Sequence, residues 1–143
     1  MTSHRRCTAL RTTRAAARGQ AMLEFAIVAV LFATLLAGIL EFGRVWSAAN
    51  VLNAAARDGA RLAAVTATNR STVTKSRVEQ VASTYFTGSN ITVNTTGGKG
   101  PSGEPIVTVT ATGKLDMLFG NWLLGKTVTL SRATTMRDET VAN

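Results

Sequence analysis

RGQAMLEFAIVAVLFATLLAGIL, residues 18 to 40, decides how this chain reads: an arginine, a glycine, a lone glutamate at position 24, then sixteen residues without a charge. Gln20 to Leu40 is 21 residues. At about 1.5 Å of rise per residue, a helix of that length spans roughly 30 Å, the hydrocarbon thickness of a bilayer. The segment is therefore long enough to cross. Glu24 needs a reason, because a carboxylate within an apolar span costs on the order of 2.5–3.5 kcal/mol. One reason is position: in the first turns of the helix it sits near the interface and favours the positive end of the helix dipole. A second comes from what precedes it.

Residues 1–18 carry five arginines (Arg5, Arg6, Arg11, Arg14 and Arg18) and no acid. Basic residues flanking a first span are retained on the cytoplasmic side, so the N-terminus is expected inside and the chain beyond Leu40 outside. A secretory signal peptide has an apolar core of about 7–15 residues followed by a small-residue cleavage site on its far side. Here the apolar run is longer. It also continues as helix-compatible sequence, EFGRVWSAANVLNAAARDGARLAAV, without proline and with only Gly43 and Gly59 as weak breakers. The other place for a cut is on the near side, at Gly19.

A basic leader, a glycine, a glutamate five residues later and an apolar helix together resemble type IV prepilins, which a membrane aspartyl peptidase cuts after the glycine. GQAMLEFAIV, followed by ILEFGRVWSAANVLNAAARDGARLAAV, narrows the resemblance to the TadE-like pseudopilins of tight-adherence (Flp-type) pili. The EF pair, the EFGR exit and the NAARDGAR segment occur in order, and the likeness covers about residues 18–66. It implies that the Gly19–Gln20 bond is the scissile one. It also implies that Glu24, with Phe25 beside it, serves peptidase recognition, or that Glu24 neutralises a neighbouring subunit's α-amino group during assembly. Glycine at the cut has a physical use, since without Cβ an extended backbone can enter a tight cleft. The partners implied are a prepilin peptidase, other pilin and pseudopilin subunits, the inner-membrane assembly platform and the lipid bilayer.

Composition prunes other classes. The formal charge is +8, but with the leader set aside eleven basic residues face eight acids, leaving +3. No basic cluster interleaved with aromatics is present, so nucleic acid is not an expected partner. Cys7 and His4 are the only residues of their kinds, and both precede Gly19. Residues 20–143 thus offer no disulfide, no Cys or His metal ligand and no histidine base, and neither catalytic residue, metal nor cofactor is expected. Asp138 and Glu139 are the one adjacent acid pair and read as a solvated tail.

Beyond the span, the helix pattern continues to about residue 68. Leu52, Ala55, Ala56, Gly59, Leu62 and Ala63 recur at three- and four-residue spacing and give a narrow, smooth face. Ala33–Ala37, Ala55–Gly59–Ala63 and Ala56–Ala60–Ala64 permit close helix crossings, either on the chain's own globular part or between subunits. Glu41 and Arg44 are placed for a local ion pair, with Trp46 as an interfacial anchor. Arg57, Asp58 and Arg61 suit salt bridges within or between subunits, or a solvated face.

Ser76–Phe86 is expected to form a second helix, capped by Ser76 with Glu79 three residues on, after a loop over Arg70–Lys75. NITVNTT from Asn90 and IVTVTAT from Ile106 alternate as the strands of a hairpin around GGKGPSGEP. Leu115–Gly125 is an apolar stretch with Phe119 and Trp122, expected to cover the sheet in preference to forming an exposed contact. Lys126–Arg137 makes a third strand, with Val128, Leu130 and Ala133 on its apolar side.

The reading is an α+β protein: leader 1–19, transmembrane helix 20–40 and an extracytoplasmic domain 41–143, with a short helix at 76–86 and a sheet at 90–137. The expected role is a membrane-anchored TadE-like minor pilin of pilus biogenesis and surface attachment, not an enzyme. An uncut single-span anchor with a partner-binding outer domain is the alternative; a secreted product cut near Ala37–Gly38 is a third.

Overall fold

The computed structural model describes residues 6–86, 88–119 and 127–140, with side chains from Gly19 onward. Two helices are followed by three strands: α1 (Arg6–Val65), α2 (Arg70–Ala82), β1 (Ile91–Lys99), β2 (Pro105–Asp116) and β3 (Thr127–Arg137). The class is α+β, as the alternation patterns predict. The chain divides into two compact units, Met1–Leu40 and Glu41–Asn143.

In the first unit, α1 carries the charge-free run. Met22, Leu23, Phe25, Ile27, Val28, Val30, Leu31, Phe32, Leu35, Leu36, Ile39 and Leu40 are all exposed. Among the described residues this is the one helix long and apolar enough to cross a membrane.

The second unit is built on the rest of α1. Ala48, Leu52, Ala55, Ala56, Ala60, Ala63 and Ala64 are buried, so the smooth face is used by the chain's own domain. Facing it is an antiparallel sheet of order β1-β2-β3. Val107, Val109, Ala111, Gly113 and Leu115 of the central strand alternate inward. The register pairs Ile91 with Gly113 and Val93 with Ala111 on one side, and Val107 with Met136 and Leu115 with Val128 on the other.

Two glycines set how closely the layers approach. A Cβ on Gly59 would lie 2.5 Å from Val78 Cγ2 and 3.3 Å from Thr74 Cγ2, with Val109 Cγ1 at 3.5 Å. This is where α1, α2 and β2 meet. A Cβ on Gly113 would meet the Phe86 ring at 2.5 Å, and that ring is 1% exposed. Phe86 takes the space the glycine leaves, and it is the largest fully buried side chain among the described residues.

Several boundaries differ from the sequence reading. The second helix begins at Arg70, so Arg70–Lys75 is not a loop, and Ser76 is not its cap. Asn69 precedes it in the left-handed region at φ 56°, a conformation asparagine tolerates, and Asn69 O accepts the first helical bond from Val73 N. Burial of Thr74 against Gly59 draws the earlier turn into the helix, a contact that hydrophobic periodicity misses because threonine is polar. The helix also stops at Ala82, and Phe86 reaches the core through a tight turn in which Tyr85 N and Phe86 N donate to Ala82 O. In the hairpin, β1 continues through Gly97, Gly98 and Lys99, leaving a shorter turn. On β3, Thr134 and Met136 continue the half-buried side begun by Val128 and Leu130; Ala133 is exposed, because strand alternation keeps even-numbered residues together here. The apolar stretch divides too: Leu115 is buried in β2, Leu118 and Phe119 are exposed, and residues 120–125 with Trp122 lie outside the described residues.

Gly59→Val places a branched side chain against the stiff Val78. In the detergent-solubilised full chain it should lower stability by about 1–3 kcal/mol in thermal unfolding followed by near-UV circular dichroism. Gly43→Ala meets nothing within 4 Å. It should raise stability by up to about 1 kcal/mol through helix propensity alone.

Candidate functional site

The residues singled out in the sequence fall into three places. The first is the start of the apolar run. Gly19, Gln20, Glu24 and Phe25 lie within α1 and are exposed. Among the described residues nothing stands within 4 Å of where a Gly19 Cβ would be. The glycine is helical, not extended, so presenting the Gly19–Gln20 bond to an enzyme requires local unwinding. Glycine lowers that cost by roughly 1 kcal/mol relative to alanine.

The second place is the first turn of the second unit. The Glu41 side chain forms an ion pair with Arg44, Nη2 to Oε1 at 2.9 Å, as the three-residue spacing predicts. Arg44 Nη2 also donates to the carbonyl oxygen of Asp116 at the end of β2. Leu118 N donates to Glu41 Oε1 at 3.2 Å and Phe119 N to Oε2 at 3.5 Å. Glu41 is buried, at 6% exposure. The Arg44 guanidinium holds its carboxyl below the ordinary value despite the opposing effect of desolvation, and the two amides act in the same direction as Arg44. A charge without such partners would be costly here; with them, the pair fastens the segment after β2 to α1.

Farther along α1, the NAARDGAR segment behaves unevenly. Asp58 pairs with Arg77 of α2 at 2.9 Å, Oδ2 to Nη2. Arg57 and Arg61 are exposed and enter no ion pair among the described residues. Gly59 lies between them, on the buried side. Arg61 borders shallow surface grooves with Met136 and Val65, open to solvent. Among the described residues, no group of acids, cysteines or histidines is arranged to hold a metal ion.

The third place went unrecognised in the sequence. Asp138 is not a solvated tail: it is 4% exposed and bound by two parallel bonds from Arg70, Nη1 to Oδ2 at 2.7 Å and Nη2 to Oδ1 at 2.9 Å. The Thr140 hydroxyl donates to Oδ1 at 2.6 Å and accepts from Arg70 Nη2 at 2.7 Å. Arg70 Nε donates to Thr66 O, just past the end of α1. Glu139 N donates to Ala64 O in the last turn of α1, while Asp138 N donates to Pro105 O at the start of β2. One cluster thus joins the end of α1, the start of α2, the start of β2 and the end of β3. Nothing local signals a pairing between residues 70 and 138.

Residues 19–61 match the family model TadE, described as TadE-like protein. Those residues are similar to the TadE-like family. The matched stretch contains Gly19, Gln20, Glu24, Phe25, Glu41, Arg44, Arg57, Asp58, Gly59 and Arg61, and it ends before α2 and the sheet. No curated protein and no solved structure matches the chain. The charge-free part of the matched stretch lies in the chain's candidate membrane span.

Hydrogen bonds from Arg70 are the largest influence holding the Asp138 carboxyl below its ordinary value of 3.8; the Thr140 hydroxyl adds to them, and desolvation opposes both. A lowered carboxyl contributes stability that is present above its unfolded-state value and lost as pH falls through the folded-state value. Asp138→Asn should therefore lower the melting temperature at about pH 7. It should also flatten the wild-type decline as pH falls below about 4, read by circular dichroism across the pH series.

Proposed function

We propose that this protein is a TadE-like pseudopilin, a minor structural or assembly subunit of a tight-adherence pilus. In this reading a prepilin peptidase cuts between Gly19 and Gln20. The spacing of Gly19 and Glu24, directly ahead of sixteen uncharged residues inside a TadE-like segment, is the observation that carries it. The role is mechanical rather than catalytic. Arginine-rich residues 1–18 hold the N-terminus on the cytoplasmic side, because moving five guanidinium groups through hydrocarbon is prohibitive. While they remain attached, the helix is confined to the bilayer of the inner membrane. Their removal leaves Gln20 at the end of an apolar rod that exchanges lipid neighbours for the helices of other subunits on the assembly platform, with the domain 41–143 outside.

Glu24 has two parts open to it here. It aids peptidase recognition together with Phe25, or it neutralises the new α-amino group of an adjacent subunit, which offsets the cost of placing either charge among apolar helices. The two parts separate experimentally, since recognition acts before the cut and pairing acts after it.

Mass spectrometry of the protein from native cells should find Gln20 at the N-terminus, and Gly19→Val should leave residues 1–19 attached. Glu24→Ala accumulates uncut chain if Glu24 serves recognition; if it serves assembly, the chain is cut but subunits fail to associate. A wild-type chain that keeps its leader would overturn processing and leave a single-span anchor.

A further inference from the structure

Among the described residues, the helical layer of the unit Glu41–Asn143 does not reach across its sheet. Gly59 of α1 stands over Val109 of the central strand, and α2 lies against β1. On β2 the inward residues Val107, Val109, Ala111 and Leu115 are buried. On β3 the side toward the helices is only half covered: Val128, Leu130, Thr134 and Met136 are half-buried, and Arg132 is exposed. Above this margin run Ala54, Arg57 and Arg61 of α1, which border one shallow groove with Met136. Arg61 and Met136 border a second groove, together with Val65, Arg137 and Glu139.

Charge along the margin is one-sided. The ion pairs among the described residues use Arg44, Arg70, Lys75 and Arg77. Arg57, Arg61, Arg132 and Arg137 are exposed and enter none of them. Asp58 is held by Arg77, so of the acids bordering the two grooves only Glu139 is left without a cation.

We infer that this margin seats an acidic amphipathic helix from a different protein subunit. The apolar side of that helix covers Met136 and Leu130 and completes the helical layer, while its carboxylates meet Arg57 and Arg61. The two arginines are four residues apart on one helix, so carboxylates one turn apart on the partner match them pair for pair. Charge and apolar floor together select the occupant. A second copy of this chain has no acidic helix to offer: α2 carries Arg70, Lys75 and Arg77 against Glu79, and Glu41 and Asp58 of α1 are already paired. A phosphate or lipid headgroup would meet the arginines and leave Met136 and Leu130 in water. Exposed ion pairs alone are worth little, so the apolar contact supplies affinity and the charges choose the partner. That the subunit belongs to the pilus rests on the function proposed above.

Photocrosslinking in native cells tests this, with p-benzoylphenylalanine replacing Ala54 or Val65 in the full-length chain. Ala133, exposed on the other face of β3, is the control position. Probes at 54 and 65 should join one identified peptide that carries carboxylates four residues apart, and the probe at 133 should not. Arg57→Glu combined with Arg61→Glu should cut that yield about tenfold. Replacing the partner's two acids with lysine should restore the crosslink to the reversed chain, a rescue that misfolding would not give. A yield indifferent to the reversal overturns the inference, as does a yield no higher than that at 133. Crosslinks to lipid or to a second copy of this chain overturn a different subunit as the occupant. If rescue succeeds with a protein outside the pilus, the docking stands and the pilus reading fails. If Gln20 is the N-terminus and the crosslink is absent, the pilus reading stands and the docking fails.

Discussion

The close approach of three elements at Gly59 is the constraint on which the second unit depends. Val78, Thr74 and Val109 all reach into the space beside one missing side chain. Because α2 lies that near to α1, the sheet lies across both, and small residues from Ala48 to Ala64 suffice as the helical half of the core. Among the described residues Leu52 and Phe86 are the largest fully buried side chains, and Phe86 fits because Gly113 leaves it room. Protein interiors are packed to crystal-like density, so a face made of alanines dictates a short separation, and a short separation dictates glycine at the crossing.

The same helix serves two surroundings in succession. Over residues 20–40 its apolar side chains are large and exposed; from Ala48 onward its buried face is small. Side-chain size changes where the candidate membrane span gives way to the chain's own domain. Glu41, Arg44 and Trp46 mark the changeover, and the ion pair there fastens the end of β2 to the helix.

What the sequence disclosed follows from how local each signal is. The apolar run, the α1 periodicity beyond it, the Glu41–Arg44 pair and the alternating strands all lie within a few residues of themselves. The start of α2 was obscured because a polar residue, Thr74, is buried by a glycine fifteen positions earlier. Ser76 and Glu79 imitate a cap in mid-helix, and tertiary packing overrides that pattern. Asp58 finds Arg77 and Asp138 finds Arg70 across distances that no spacing rule reports. For Leu118 and Phe119 the sequence favours covering the sheet over an exposed contact, and they are exposed, their backbone placed by a carboxylate on another element.

The Asp138 cluster has a consequence in time. Helix α1 needs only bonds between neighbouring turns and is complete once Val65 has been synthesised. The residue that closes the fold comes 73 positions later, which at ribosomal speeds of about 5–20 residues per second is roughly 4–15 s. During that interval the inner face of α1 waits uncovered. A face of alanines offers little for a stray apolar segment to grip, so the residues that allow the tightest packing in the finished domain are also those least prone to mispairing before it exists.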